Sequence, residues 1–119
     1  MEKINNNQVA SLKISKDVIA TIARVATLEV EGVAALVEPN KIGLFTKGFT
    51  KSIEISLADD FAEINLCLEL NFGAKIPAVC VEVQNNVREN VQTMTGIVVS
   101  KVNITVAGIV LPQAGEKKD

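Results

Sequence analysis

The sequence predicts an α+β domain in the order βαββαβ, in which two helices cover one face of a single sheet and leave the other face exposed. Three observations support this prediction. Two segments repeat apolar residues at helical spacing, one stretch alternates polar and apolar residues, and a four-residue turn joins that stretch to a second alternating segment. With 119 residues, the chain is long enough for one domain that buries about two-thirds of its surface.

The first two elements are a short strand at 12–14 and a helix at 16–31. Ser15 suits the N-cap because its hydroxyl can accept a hydrogen bond from an amide of the first turn. Asp17 places a negative charge near the positive end of the helix dipole. The apolar residues at helical spacing are Val18, Ile19, Ile22, Ala23, Ala26 and Val30. Gly32 is expected to end the helix in a left-handed conformation.

The clearest β-hairpin follows a loop that begins at Pro39-Asn40. Its strands alternate polar and apolar side chains on either side of a turn at 58–61. A four-residue turn pairs Leu57 with Ala62, which puts the apolar rows of both strands on one face. The same register pairs Ile53 with Leu66.

The last two elements are a helix and a strand. Gly73 ends the hairpin, and Pro77 fits the first turn of the second helix. The predicted apolar stripe of this helix is Ile76, Cys80, Val83, Val87, Val91 and Met94. The opposite face contains Glu82, Gln84, Asn85, Arg88, Glu89 and Gln92. A final strand is expected over 98–106.

The domain is expected to span residues 11–110, between flexible tails at 1–10 and 111–119. The polar beginning of the chain has no apolar stretch of signal-peptide length. No segment approaches the roughly 20 apolar residues that span a bilayer. We therefore expect a cytoplasmic protein whose membrane contact is indirect, through a partner.

The composition argues against most enzyme classes. The chain contains no histidine, which excludes histidine-based triads and disfavours zinc and iron sites. It has no Trp or Tyr, and its net charge is −2, so neither base stacking nor long-range attraction to nucleic acid is supported. We predict no enzymatic activity, no catalytic residue, no metal, no cofactor and no nucleic acid partner.

Acidic residues and cysteines each allow a functional and a structural interpretation. Glu54, Glu63 and Glu69 are expected on the uncovered sheet face, where two of them would need a desolvating pocket to work as an acid–base pair. A wetted polar face is the favoured interpretation. Cys67 is expected on the same exposed face and Cys80 on the core side of the second helix. Structural roles are favoured for both cysteines, because no histidine is available to activate either.

The segment 38–51 carries three lysines, two phenylalanines and one glutamate, whereas residues 52–72 carry five acidic residues and no basic one. A basic, apolar segment beside an acidic face indicates head-to-tail self-association. The alternative is that the two phenylalanines fold back as a small core beneath the segment. The predicted partner-binding residues are Lys41, Phe45, Lys47, Phe49, Lys51, Glu54, Glu63 and Glu69.

Several stretches resemble the alkaline shock protein family, also called the Gls-type envelope stress response family of Gram-positive bacteria. In the first half these are Ile14-Ser15-Lys16-Asp17-Val18-Ile19-Ala20, Ile22-Ala23 and Glu29-Val30-Glu31-Gly32-Val33-Ala34. In the second half they are Glu69-Leu70-Asn71-Phe72-Gly73, Ile76-Pro77, Val83-Gln84-Asn85-Asn86-Val87, Met94-Thr95-Gly96 and Val102-Asn103-Ile104. The resemblance covers about residues 11–110.

The resemblance implies a small, non-catalytic, cytoplasmic protein of cell-envelope homeostasis and alkaline stress. Some family members assemble beneath the membrane through an anchored partner, and others are tied to fatty-acid synthesis. We therefore predict an envelope stress response protein that acts by homo-oligomerisation and by binding protein partners of the envelope or lipid-synthesis machinery. The alternative is a sensor of a small acyl-type metabolite, with a pocket between the helices and the segment 38–51.

Overall fold

The computed structural model describes residues 15–39, 51–59 and 61–112. The elements are α1 (Lys16–Leu28), β1 (Val33–Leu36), β2 (Ile53–Ala58), β3 (Phe61–Asn71), α2 (Ile76–Thr95) and β4 (Val98–Val110). Both helices pack on one face of a four-stranded sheet, which confirms the predicted α+β class. The predicted first strand at 12–14 lies outside the described residues.

β3 is the central strand of the sheet. On one edge it pairs with β4 in parallel over its whole length, from Phe61 opposite Val98 to Asn71 opposite Val110. On the other edge it pairs first with β2 and then with β1, both antiparallel. β1 and β2 therefore follow each other along a single edge of β3.

The β-hairpin has the predicted register. Leu57 lies opposite Ala62, and Ile53 lies opposite Leu66. The backbone of Asp59, in the turn, has a φ of 56°. Aspartate tolerates this left-handed conformation better than most residues do.

Strand β1 was missed by the sequence analysis, which placed this stretch outside any element. Its four residues are all half-buried and do not alternate, so the period-two pattern that predicts a strand is absent. β2 leaves part of the edge of β3 unpaired, and residues 33–36 form a strand because they pair there. Val33 lies opposite Leu70, and Leu36 lies opposite Leu68. Strand β4 also runs to Val110, beyond its predicted end at Val106.

Helix α1 begins as predicted and ends earlier. The Ser15 hydroxyl accepts a hydrogen bond from the Val18 N–H at 3.3 Å, but the helix ends at Leu28 rather than at residue 31. Gly32 has a positive φ of 103°, as predicted, but it does not cap the helix, because the C-cap is Glu29. The Gly32 carbonyl accepts a hydrogen bond from the Asn71 N–H at 2.8 Å, so it leads the chain into the sheet.

Helix α2 buries a stripe that differs from the predicted one at both ends. The buried residues are Val79, Val83, Val87 and Val91. Ile76 and Met94 point to the same side of the helix but lie in its first and last turns, and they are 42% and 64% exposed. The core is shorter than the helix, so these two predicted core positions were wrong.

The core lies between the helices and the apolar row of β3. That row is Ala62, Ile64, Leu66, Leu68 and Leu70, and every member is fully buried. Ile19, Ala23 and Ala26 of α1 pack against it together with the stripe of α2, while β2 adds Ile53 and Ile55 and β4 adds Val99 and Val102. A single row of one strand thus organises the whole core.

Gly32 is expected to be a sensitive position for stability. A Cβ atom there would lie 2.9 Å from Cγ2 of Val79, in addition to the strain of the positive φ. Gly73 has a similar φ of 92°, but no atom lies within 4 Å of its would-be Cβ. We expect Gly73→Ala to cost about 1 kcal/mol of unfolding free energy, from the backbone alone. Gly32→Ala should cost about 1–3 kcal/mol more, from overpacking. Urea denaturation measures both, and equal losses in the two variants would contradict the contact with Val79.

Candidate functional site

The face of the sheet opposite the helices is the candidate interaction surface, called here the open face. It carries alternate residues of three strands: Glu54 and Ser56 of β2, Glu63, Asn65, Cys67 and Glu69 of β3, and Lys101, Asn103 and Thr105 of β4. The structure therefore places Glu54, Glu63 and Glu69 on one surface. Each of the three is half-buried rather than fully exposed.

A polar cluster fixes the centre of the open face. The Asn103 side-chain amide donates to Oε2 of Glu63 at 2.9 Å and to Oδ1 of Asn65 at 3.0 Å. Asn103 lies directly opposite Asn65, and Glu63 lies opposite Lys101. The cluster holds Glu63 against the sheet. Of the other two acidic groups, Glu54 lies opposite Asn65 on β2 and Glu69 lies farther along β3.

Cys67 does not have the predicted exposure. It occupies an open-face position in the alternation of β3, yet it is fully buried. It lies where β1 and β2 meet along the edge of β3: the Val37 N–H donates to its carbonyl at 3.0 Å, and its own N–H donates to the Ser52 carbonyl at 2.9 Å. Pro39 and Ser52, near these contacts, are also buried. This burial could not be predicted from alternation alone, because it depends on β1, which was not predicted.

Neither cysteine has the environment of a nucleophile. Burial raises the pKa of the Cys67 thiol, and the negative charge of Glu69 raises it further. Burial also raises the pKa of Cys80. Cys80 lies in the second turn of α2, because the helix begins at Ile76, and the helix dipole acts mainly within the first turn. Both thiols therefore remain protonated at neutral pH, whereas the thiolate is the reactive form.

Thiol labelling tests the burial of Cys67. In a Cys80→Ala variant, we expect iodoacetamide to label Cys67 slowly in the native protein at about pH 8.5, near the ordinary pKa of a thiol, and rapidly once denaturant unfolds it. In a Cys67→Ala variant, the half-buried Cys80 should react faster than native Cys67 does. Mass spectrometry follows both reactions. Equal native rates for the two cysteines would show that Cys67 is accessible.

The segment 38–51 leaves and rejoins the sheet at Cys67, where the contacts of Val37 and Ser52 secure its two ends. Lys51, the last residue of this segment, is exposed. The other predicted partner-binding residues of the segment, Lys41, Phe45, Lys47 and Phe49, lie outside the described residues. The structure therefore shows where the segment is attached, immediately beside the open face.

A groove of about 340 Å³ lies between α1 and β2. Its lining includes Lys16, Asp17, Ala20 and Arg24 on α1, Glu38 and Lys51 at the ends of the segment 38–51, and Ser52, Ile53, Glu54 and Ile55 on β2. Basic and acidic side chains are equally represented in this lining. A smaller, apolar groove of about 180 Å³ lies between the two helices, where Ile22 and Val25 face Met94.

Three side chains of α2 have a role that was not predicted from the sequence. They were predicted simply as part of a polar face, but Gln84, Arg88 and Gln92 bind the backbone of β4. Gln84 donates to the Val102 carbonyl at 2.9 Å, and Arg88 donates to the Val99 carbonyl at 3.5 Å. The Gln92 side-chain oxygen accepts from the Val99 N–H at 2.9 Å. Their four-residue spacing could have indicated one common row along the helix.

Removing one of these contacts should destabilise the fold. Gln92→Leu leaves the Val99 N–H without its acceptor, so we expect a loss of about 1–2 kcal/mol in unfolding free energy. It should also speed hydrogen exchange at the Val99 amide. Asn85→Leu is the matched control, because it likewise replaces a side-chain amide of α2 by leucine, at an exposed position. It should change stability by less than about 0.5 kcal/mol. Equal effects of the two variants would contradict a role for Gln92 at the strand.

Two further properties of the described residues bear on membranes and metals. Neither described helix combines the length and the hydropathy needed to cross a bilayer. Among the same residues, no three His, Cys, Asp or Glu side chains are grouped so that they could hold a metal ion.

The chain is similar to several known proteins. The model of the alkaline shock protein 23 family, described as having a cell envelope-related function, matches residues 4–111. The uncharacterized protein YqhY of Bacillus subtilis (strain 168) is 31% identical over 108 residues, covering 87% of this chain and 80% of that protein. The uncharacterized protein Spy1535 of Streptococcus pyogenes serotype M6 is also 31% identical, over 104 residues, covering 86% of this chain and 81% of that protein.

Solved structures of low sequence identity share the fold. The copper form of one MamM CTD variant and the structure of another variant each have a TM-score of 0.50. Both are 7% identical to this chain and cover 83% of it and 100% of the compared chain. At this identity the likeness concerns the fold alone.

Proposed function

Since this chain belongs to the alkaline shock protein 23 family, whose described function is cell envelope-related, we propose that it is a non-enzymatic interaction protein of the envelope stress response. It acts by associating with itself and by binding protein partners of the envelope or lipid-synthesis machinery. In this proposal it works in the cytoplasm and reaches the membrane through a partner.

The observation that supports this proposal most directly is the attachment of the basic segment 38–51 beside the acidic open face. The segment joins the sheet at Cys67, between Asn65 and Glu69. It carries three lysines against one glutamate, and the open face presents Glu54 and Glu69 near the Asn103 cluster. Opposite charges on two surfaces of one molecule favour contact between copies.

The proposed contact is head-to-tail: the segment 38–51 of one copy binds the open face of the next. The lysines supply charge, and Phe45 and Phe49 supply apolar area. Because the two contacting surfaces differ, such a contact can repeat from copy to copy. The same surfaces would bind partner proteins whose charges resemble those of a second copy.

Sensing of a small metabolite is the alternative function. The groove between α1 and β2, about 340 Å³ in volume, has the size of a ligand site. Its balanced charges suit a polar ligand better than an acyl chain, which would need an apolar lining. Native mass spectrometry of protein purified from its host distinguishes the two functions, because a sensor would carry a defined extra mass.

Salt-dependent sedimentation tests the proposed self-association. We expect larger species at low salt than at high salt, because a rising ionic strength screens the charges and dissociates the head-to-tail contact. Glu54→Gln combined with Glu69→Gln should remove this salt-dependent increase in size, because it neutralises two of the three acidic groups of the open face. Sedimentation velocity measures the size distribution.

The matched control is Glu82→Gln combined with Glu89→Gln, which removes the same charge from exposed positions on α2. This control should assemble as the unmodified protein does. A protein that stays monomeric at all salt concentrations would reject the head-to-tail contact. An equal loss of assembly in both double variants would assign the effect to net charge rather than to the open face.

A further inference from the structure

Strand β4 has two unlike edges. One edge pairs with β3 along the whole strand. Within residues 15–39, 51–59 and 61–112, no strand pairs with the other edge, which is called here the outer edge. In an isolated sheet, the N–H and C=O groups of such an edge can bind another strand.

Helix α2 covers the first half of the outer edge. The contacts of Gln84, Arg88 and Gln92 satisfy the carbonyls of Val99 and Val102 and the N–H of Val99. A backbone group of β4 that binds a helix side chain does not form a hydrogen bond with β3. The backbone groups of Val99 and Val102 therefore point away from β3, toward the outer edge. A polar row of a helix that binds an edge strand protects it from pairing with another chain.

The second half of the outer edge, residues 103–110, has no such contacts, since among the described residues the side chains of α2 bind no backbone group of β4 past Val102. It is called here the uncovered half. The N–H and C=O groups of successive strand residues point to opposite edges. Those of Ile104 and Val106 therefore point to the outer edge, as those of Val102 do. The Val110 carbonyl accepts from the Phe72 N–H at 2.9 Å and so faces β3. The backbone of Ile109 therefore faces outward again, after the bulge between Val106 and Gly108.

The helix does not reach the end of this half. Gln84 binds the Val102 carbonyl. From Gln84 back to its first residue the helix is roughly 12 Å long. About four strand residues span the same length. α2 therefore begins near Val106, and the strand continues past it. Accordingly Phe72, Ile109 and Leu111 are 64%, 40% and 62% exposed, although Leu70, opposite Ile109, is fully buried.

The uncovered half also has few of the features that prevent an edge strand from pairing with another chain. Residues 102–115 contain no charged side chain, and the first proline is Pro112. Lysines, inward charges, prolines and bulges are the usual protections, and of these the described half has the bulge at Ala107.

We propose that the outer edge of residues 103–110 pairs antiparallel with the same strand of a second copy, across a two-fold axis. A two-fold axis brings each stretch of strand against its own copy. Any charge near the axis would therefore meet its like, and this stretch has none. Pairing would join the two sheets edge to edge and place Phe72, Ile109 and Leu111 close to the second copy. This inference rests on the proposed self-association and adds a second contact to it. The edge-to-edge contact is uncharged, whereas the head-to-tail contact is charged.

Ile109→Lys is the variant that tests this pairing. It places a charge on the outer half of β4 at a side chain that is already 40% exposed, so the fold should tolerate it. We expect the dissociation constant of the dimer to rise about tenfold or more, because a lysine on an edge strand disfavours its pairing with another strand. Val98→Lys is the matched control, since Val98 lies at the other end of β4 and is 46% exposed. It should leave the dimer unchanged.

Sedimentation equilibrium in high salt separates this contact from the head-to-tail one, because an uncharged edge does not weaken as charges are screened. A dimer that persists in high salt and is lost in Ile109→Lys, while circular dichroism shows the variant folded, supports the pairing. A monomer in high salt, or equal effects of the two lysine variants, overturns it. Deletion of residues 1–14 adds a further test. A dimer that forms only after this deletion would mean that the chain covers its own edge, which also overturns the proposal.

Discussion

The structure depends on the complete pairing of β3, a strand of eleven residues that uses both of its edges. β4 occupies one edge from end to end, whereas β2 and β1 share the other. With its backbone groups paired on both sides, β3 can bury its apolar row entirely beneath the helices. The row from Ala62 to Leu70 then sets where each helix packs. The rest of the fold is arranged around this strand.

The same arrangement decides which surfaces are left for partners. Because β1 and β2 meet end to end at Cys67, the segment 38–51 must leave the sheet there, beside the acidic open face. Because α2 is shorter than the strand it covers, β4 continues past the helix layer from about Val106. The two proposed contacts are therefore consequences of strand pairing and helix length.

Local patterns in the sequence were enough to predict most of the fold. Alternation and turn length predicted the register of Leu57 with Ala62, and the hydroxyl of Ser15 predicted the start of α1. Features that depend on contacts between distant segments were missed. Strand β1 has no alternation of its own, Cys67 is buried at a junction that β1 creates, and Gln84 binds a strand 18 residues away. The acidic face could be predicted because its residues follow the period of a strand, but the edge of β4 required the position of α2.

The central claim is that this protein works through surfaces that its sheet leaves available, above all the uncovered half of β4. Residue-resolved hydrogen exchange at low and at high protein concentration tests this claim most directly. The account predicts that the outward amides of Ile104, Val106 and Ile109 exchange more slowly at high concentration, while the Val99 amide, bound by Gln92, does not change. Exchange that is independent of concentration at all four amides would contradict it.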